Sequence, residues 1–298
     1  MKFLRSVILD AWTIATGVKT IDLPINPLSY LKITIEGTSL TTVPSLTEIL
    51  AFVNNIEVTH KGQSILNLNG EDVAALNLYL FGSRGIKVSD LYATSTYVSY
   101  SFFLPFGRTL FNPEECFPGT RKGEMQLSMD LTIPATSFNV SVLSVEACEL
   151  MEANPANYLK ATMLSVAAPG ATGNFDTELP IGNDLLAIII GLAAFPTSGD
   201  VLYTVDDVKL LCDNVETQIA SAKTPGLIAD RMLRAPIDPD NPGLFTFGAP
   251  DYYMWLDFDP NRDGSYAINT DIYNSVKIRN TFGENAGIHV IPVELVAV

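Results

Sequence analysis

Three segments of the first half of this chain recur, in the same order, in the second half. This ordered repeat constrains the fold more than any other feature of the sequence. Leu23-Pro24-Ile25 returns as Leu179-Pro180-Ile181, and each is followed by an apolar strand, Leu31 to Ile35 and Leu186 to Ile190. Asn55-Ile56-Glu57-Val58 returns as Asp207-Val208-Lys209-Leu210, and each leads through a polar turn towards a short helix. Phe138-Asn-Val-Ser-Val and Ile288-His-Val-Ile-Pro close the two halves. The offset between copies drifts from 156 (180 − 24) to 152 (208 − 56) to 150 (288 − 138), as small loop deletions in the second copy would produce. A chain of 298 residues has room for two such units.

The local patterning says what each unit is made of. In Tyr30-Leu-Lys-Ile-Thr-Ile-Glu36, the alternation puts Leu31, Ile33 and Ile35 on one face. Phe138 to Val145 and Val276 to Arg279 alternate likewise, and period two predicts half-buried strands. The 20 glycines and 18 prolines punctuate the chain at short intervals, which points to an all-β sandwich or barrel. Two stretches depart from this. Gly70 to Leu80 carries Val73, Leu76, Asn77 and Leu80 at helical spacing, with acidic residues in its first turn. Thr224 to Leu233 reads as a second short helix, with Thr224 as its cap and Pro225 as its first residue. Residues 151–175, rich in Ala, Asn, Pro and Gly, read as a linker between domains at 1–150 and 176–298.

Composition limits the function. Net charge is −15, and the basic clusters are small: Arg121-Lys122, and Lys2 with Arg5. A nucleic-acid binder needs a cationic footprint, so direct contact with a genome is not expected. Cys116, Cys148 and Cys212 are odd in number and far apart, which fits buried free thiols rather than a disulfide framework or a zinc site. The N-terminus starts like a signal peptide, but its apolar stretch is short and Asp10 interrupts it, so it reads as retained and the protein as made in a cytoplasm. No Gly-x-Ser-x-Gly, P-loop or His-Glu-x-x-His occurs, and His60 and His289 sit in different halves. The sequence predicts no enzyme.

The run Ile49 to Ser64, leading into Leu68-Asn-Gly-Glu-Asp-Val-Ala-Ala-Leu76, resembles the strand, turn and short helix in the first barrel of double jelly-roll major capsid proteins. Leu23-Pro-Ile-Asn-Pro-Leu28 is similar to the segment before a barrel strand in the same proteins. They form the lineage of tailless icosahedral phages with an internal membrane and of adenovirus. The resemblance implies two tandem eight-stranded jelly rolls, a pseudo-hexagonal homotrimer, and a place in a virion capsid assembled in the host cytoplasm. It implies partners among copies of the chain itself, penton proteins and minor capsid or membrane proteins. The alternative is a carbohydrate-binding or glycan-active β-sandwich, for which Tyr252-Tyr253-Met254-Trp255 would supply aromatics and two carboxylates a catalytic pair. A secreted bacterial surface protein is a third reading.

Two local features are candidate sites. Asp259-Pro-Asn-Arg-Asp-Gly264 has the first half of a calcium loop, with Asp259, Asn261 and Asp263 as oxygen ligands. The twelfth loop position is Thr270 rather than Glu, with Asp271 one residue off, and the same residue types also make a hairpin turn. Lys2, Phe3, Leu4 and Arg5 combine cations with apolar side chains, as a membrane surface would favour. The other reading of that segment is a first barrel strand with an exposed tip.

Overall fold

A computed structural model describes residues 2–39, 44–89, 97–133, 138–192, 203–234 and 252–298. Two compact units divide the chain: Met1–Thr162 with Val296–Val298, and Met163–Leu295.

The first unit contains β1 (Lys2–Thr13), β2 (Gly17–Asp22), β3 (Leu28–Ser39), α1 (Leu46–Leu50), β4 (Val53–His60), β5 (Gln63–Leu68), α2 (Gly70–Phe81), β6 (Ile86–Ser89), β7 (Tyr97–Pro105), β8 (Met125–Leu131), β9 (Phe138–Met151) and β10 (Asn157–Thr162). One sheet runs β1-β9-β3-β7, with β6 added beside β7. The other runs β2-β8-β4-β5, with β10 added beside β5. The predicted alternation is what fills the space between them. Leu31, Ile33 and Ile35 of β3 are at most 2% exposed, as are Phe102 and Leu104 of β7 and Ile56 and Val58 of β4.

The second unit contains β11 (Leu164–Val166), β12 (Gly173–Glu178), β13 (Asp184–Leu192), β14 (Val205–Cys212), β15 (Val215–Glu216), β16 (Ala222–Lys223), α3 (Thr224–Arg234), β17 (Tyr253–Asp257), β18 (Ile268–Asn269), β19 (Val276–Phe282) and β20 (Ile288–Ala297). Its sheets run β11-β20-β13-β17 and β12-β19-β14-β16. Leaving aside the additional β6, β10, β15 and β18, each unit has eight strands among the described residues. Counted along the chain, their sheets read 1-8-3-6 and 2-7-4-5 in both units. That order is a jelly roll.

The repeat is preserved down to the hydrogen bonds. Leu23 N donates to Met125 O, the first residue of β8, and Leu179 N donates to Val276 O, the first residue of β19. Val58 pairs with Leu127 in one unit and Leu210 with Ile278 in the other. In each, a helix follows the fifth strand: α2 packs on β4, β5 and β7, and α3 on β14, β16 and β17.

Two expectations change. Residues 151–175 carry β10, β11 and the start of β12, and the two units meet between Thr162 and Met163. Pro155, Pro169 and Gly170 punctuate this stretch strongly enough to mask short strands that gain their stability from pairing. Thr224 is the first residue of α3, not its cap, and its buried hydroxyl donates to Val205 O of the neighbouring β14. The N-terminal segment follows one of its two readings, a first barrel strand with an exposed tip.

Candidate functional site

The loop from Asp259 to Gly264 shows the limits of a motif built from turn residues. Asp259 is buried, and its Oδ1 accepts Gly264 N at 2.7 Å. Its own N–H donates to Asp257 Oδ1 at 2.8 Å, and Asp263 Oδ1 accepts Ser265 N at 2.9 Å. Arg262, at φ +59°, brings its guanidinium to 3.5 Å from Asp259 O and 4.0 Å from Asp257 Oδ1. A calcium site needs six to eight converging oxygens and no resident cation. Here Asp259 Oδ1 and Asp263 Oδ1 accept backbone N–H groups and a guanidinium stands beside Asp259 and Asp257, an arrangement that serves a turn. Among the described residues, no group of three or more His, Cys, Asp or Glu side chains is placed to hold a metal. Calorimetric melting with and without a chelator should therefore give the same midpoint. A chelator-induced drop that vanishes in Asp263→Ala would restore the calcium reading.

Of the aromatic run of the glycan alternative, Tyr252 is half-buried against the core and the rest is interior. Tyr253, Met254, Trp255 and Leu256 are each at most 3% exposed. Gly191 lies so close beneath the Tyr253 ring that a Cβ there would come within 2.7 Å of it. These side chains pack on both faces of β17 and offer no platform for a sugar ring.

His60 is structural in setting, and His289 lies on β20 opposite Ser165 and Gly191. His60 Nε2 is 4.0 Å from Glu124 Oε2 and its ring stacks edge-on to Phe117, with burial lowering its pKa. All three cysteines are free and buried, and desolvation pushes the Cys116 thiol up to about 11.

The N-terminal strand is different, because it leaves apolar side chains in the open. It pairs with β9 from Lys2↔Met151 to Thr13↔Val142, and among the described residues no further strand follows it in that sheet. Register shifts after Val7 and Leu9, and φ +40° at Ala11, bend it. Such bulges on an edge strand discourage continuous pairing with another chain. Phe3, Leu4 and Val7 are 60%, 48% and 59% exposed. The Phe3 ring meets Phe111 edge-on at 5.4 Å, and the Arg5 guanidinium lies 5.9 Å from the centre of the same ring.

No protein-family model and no curated protein matches the chain. Solved structures do. The major capsid protein of Sulfolobus Turreted Icosahedral Virus aligns over 100% of this chain and 97% of its own, at TM-score 0.75 and 12% identity. The chain has the double jelly-roll fold of viral major capsid proteins. A second double jelly roll, the major capsid protein P2 from bacteriophage PM2, aligns over 99% of this chain and 98% of its own, at TM-score 0.62 and 13% identity. The quasi-atomic PBCV-1 virus capsid contributes another at TM-score 0.62 and 9% identity. At such identities the double jelly roll is shared as architecture, with nearly every side chain changed.

Proposed function

We propose that this chain is a viral major capsid protein whose homotrimers tile an icosahedral shell over an internal membrane. One observation carries the reading: the same eight-strand order and the same strand register occur twice in one chain, with end-to-end coverage of capsid proteins of that design. Two barrels per copy give a trimer six similar barrels, and six similar bodies around an axis suit a hexagonal lattice. The role is structural, not catalytic. Its partners are other copies, together with penton and minor capsid or membrane proteins. The net charge of −15 keeps free trimers soluble and keeps the shell from binding a genome directly. Assembly takes place in the host cytoplasm, and Lys2, Phe3, Leu4 and Arg5 face the membrane.

Light scattering on the purified protein should give about three times the 32.4 kDa chain mass, and negative-stain images should show a hexagonal outline. A stable monomer would overturn the proposal.

A further inference from the structure

We propose that the second barrel encloses an ordered water molecule, held by Asn280 between its two sheets. Asn280 lies on β19, where alternation points it inward with Val276, Ile278 and Phe282, all three in the apolar core of this unit. It is 0% exposed. Neither its Oδ1 nor its Nδ2 finds a hydrogen-bond partner among the described residues. A buried amide is costly unless something satisfies it.

The surrounding chain does not meet that need. β19 is paired with β12 on one side and with β14 on the other, so the backbone groups beside Asn280 are spent in the two ladders. Its cross-strand neighbours are Phe175 and Val208, whose side chains carry no polar atom. The other asparagine buried among the described residues, Asn77, has both ends of its amide engaged by Phe103.

The internal repeat supplies a reference for the same place. Val58↔Leu127 in the first barrel corresponds to Leu210↔Ile278 in the second, so two residues along each strand Ile56↔Met129 corresponds to Val208↔Asn280. Met129 is 0% exposed, so a long apolar side chain fills this position in the first barrel. In the second barrel both members of the pair are smaller, Asn for Met and Val for Ile. Phe175 beside them is engaged edge-on with Phe282, at 5.7 Å between ring centres. The two exchanges give up side-chain volume of at least one water, about 30 Å³ in the liquid. An amide presents an acceptor and a donor side by side, and a buried water uses two to four such groups. The apolar walls disfavour any charged guest. The two barrels thus share a strand order but differ inside, one closed at this level by a methionine and the other by a hydrated amide.

The test is a crystal structure of the full-length protein at a resolution that shows solvent, with the structure and melting curve of Asn280→Met, which puts the first barrel's residue into the second. A solvent peak should lie about 2.7–3.2 Å from both Asn280 Oδ1 and Nδ2 and should vanish in Asn280→Met. Filling the place with apolar atoms should raise the melting temperature by about 2–4 °C. Asn280→Ala, which removes the amide and fills nothing, should lower it. Wild-type density without a solvent peak at the amide, or with the amide turned onto a protein group, would overturn the proposal whether or not a variant folds. So would a lower melting temperature for Asn280→Met with its fold unchanged, because the amide would then be satisfied by the protein itself.

Discussion

Arg108→Ala should destabilise the first barrel by about 3–5 kcal/mol, the cost of leaving one member of a buried ion pair without its partner. Arg108 and Glu115 face each other across the loop 106–124, each side chain 10% exposed. Arg108 Nε donates to Glu115 Oε1 at 3.1 Å and Oε2 at 2.9 Å, a second guanidinium nitrogen reaches Oε1, and the Arg108 backbone N–H donates to Oε2 at 3.3 Å. Gly107 lies beneath the pair, where a Cβ would meet Glu115 O at 2.1 Å, so the loop cannot relax inward to hydrate a stranded carboxylate. The double replacement Arg108→Met/Glu115→Leu should recover most of the loss, because apolar residues of similar size remove the charge and its partner together. Denaturant unfolding of the three proteins measures this. A loss under about 1 kcal/mol for Arg108→Ala would mean the pair is screened as a surface pair is.

The second large effect is expected at Asn77. This residue lies on α2, 1% exposed, and its side chain behaves like a short piece of strand. Asn77 Nδ2 donates to Phe103 O at 2.7 Å and to Val73 O at 2.9 Å, while Phe103 N donates to Asn77 Oδ1 at 3.0 Å. The reason lies in the sheet edge. β6 pairs with β7 only from Val98 to Ser101, so the outer backbone groups of Phe103 lie beyond its reach. Asn77→Leu would keep the volume and strand both groups, at about 2–4 kcal/mol. Asn77→Asp can still accept from Phe103 N–H, but its second oxygen would face the Phe103 and Val73 carbonyls in a buried place, so it should cost at least as much. If Asn77→Leu melts with the wild type, the amide is not what secures the edge of β7.

Much of the fold was legible because the chain repeats itself. Leu23 and Leu179 occupy equivalent places with equivalent hydrogen bonds, and the alternating runs became β3, β9 and β19. The helix at 70–81 was legible from spacing, and Asn77 on its apolar stripe was a visible signal that a buried polar partner awaited it. What that partner was could not be read, since Phe103 lies 26 residues away. The full length of the first strand, Lys2–Thr13, was obscured because its bulges break period two, and β10 and β11 were hidden by flanking Pro and Gly. The motif at Asp259–Gly264 has two readings in the sequence for a physical reason: turns and calcium loops use the same oxygen-bearing residues.

The place of β9 between β1 and β3 also has a consequence during synthesis. Both neighbours leave the ribosome early, yet the strand that joins them begins about 100 residues after β3 ends. At about 5–20 residues per second, β1 and β3 wait roughly 5–20 s with their edges unpaired and Phe3, Leu4 and Leu31 open to other nascent chains. Polysomes making this protein in bulk thus hold many identical sticky strands close together. Demand on chaperones will scale with translation rate, and slower expression at lower temperature will favour soluble product.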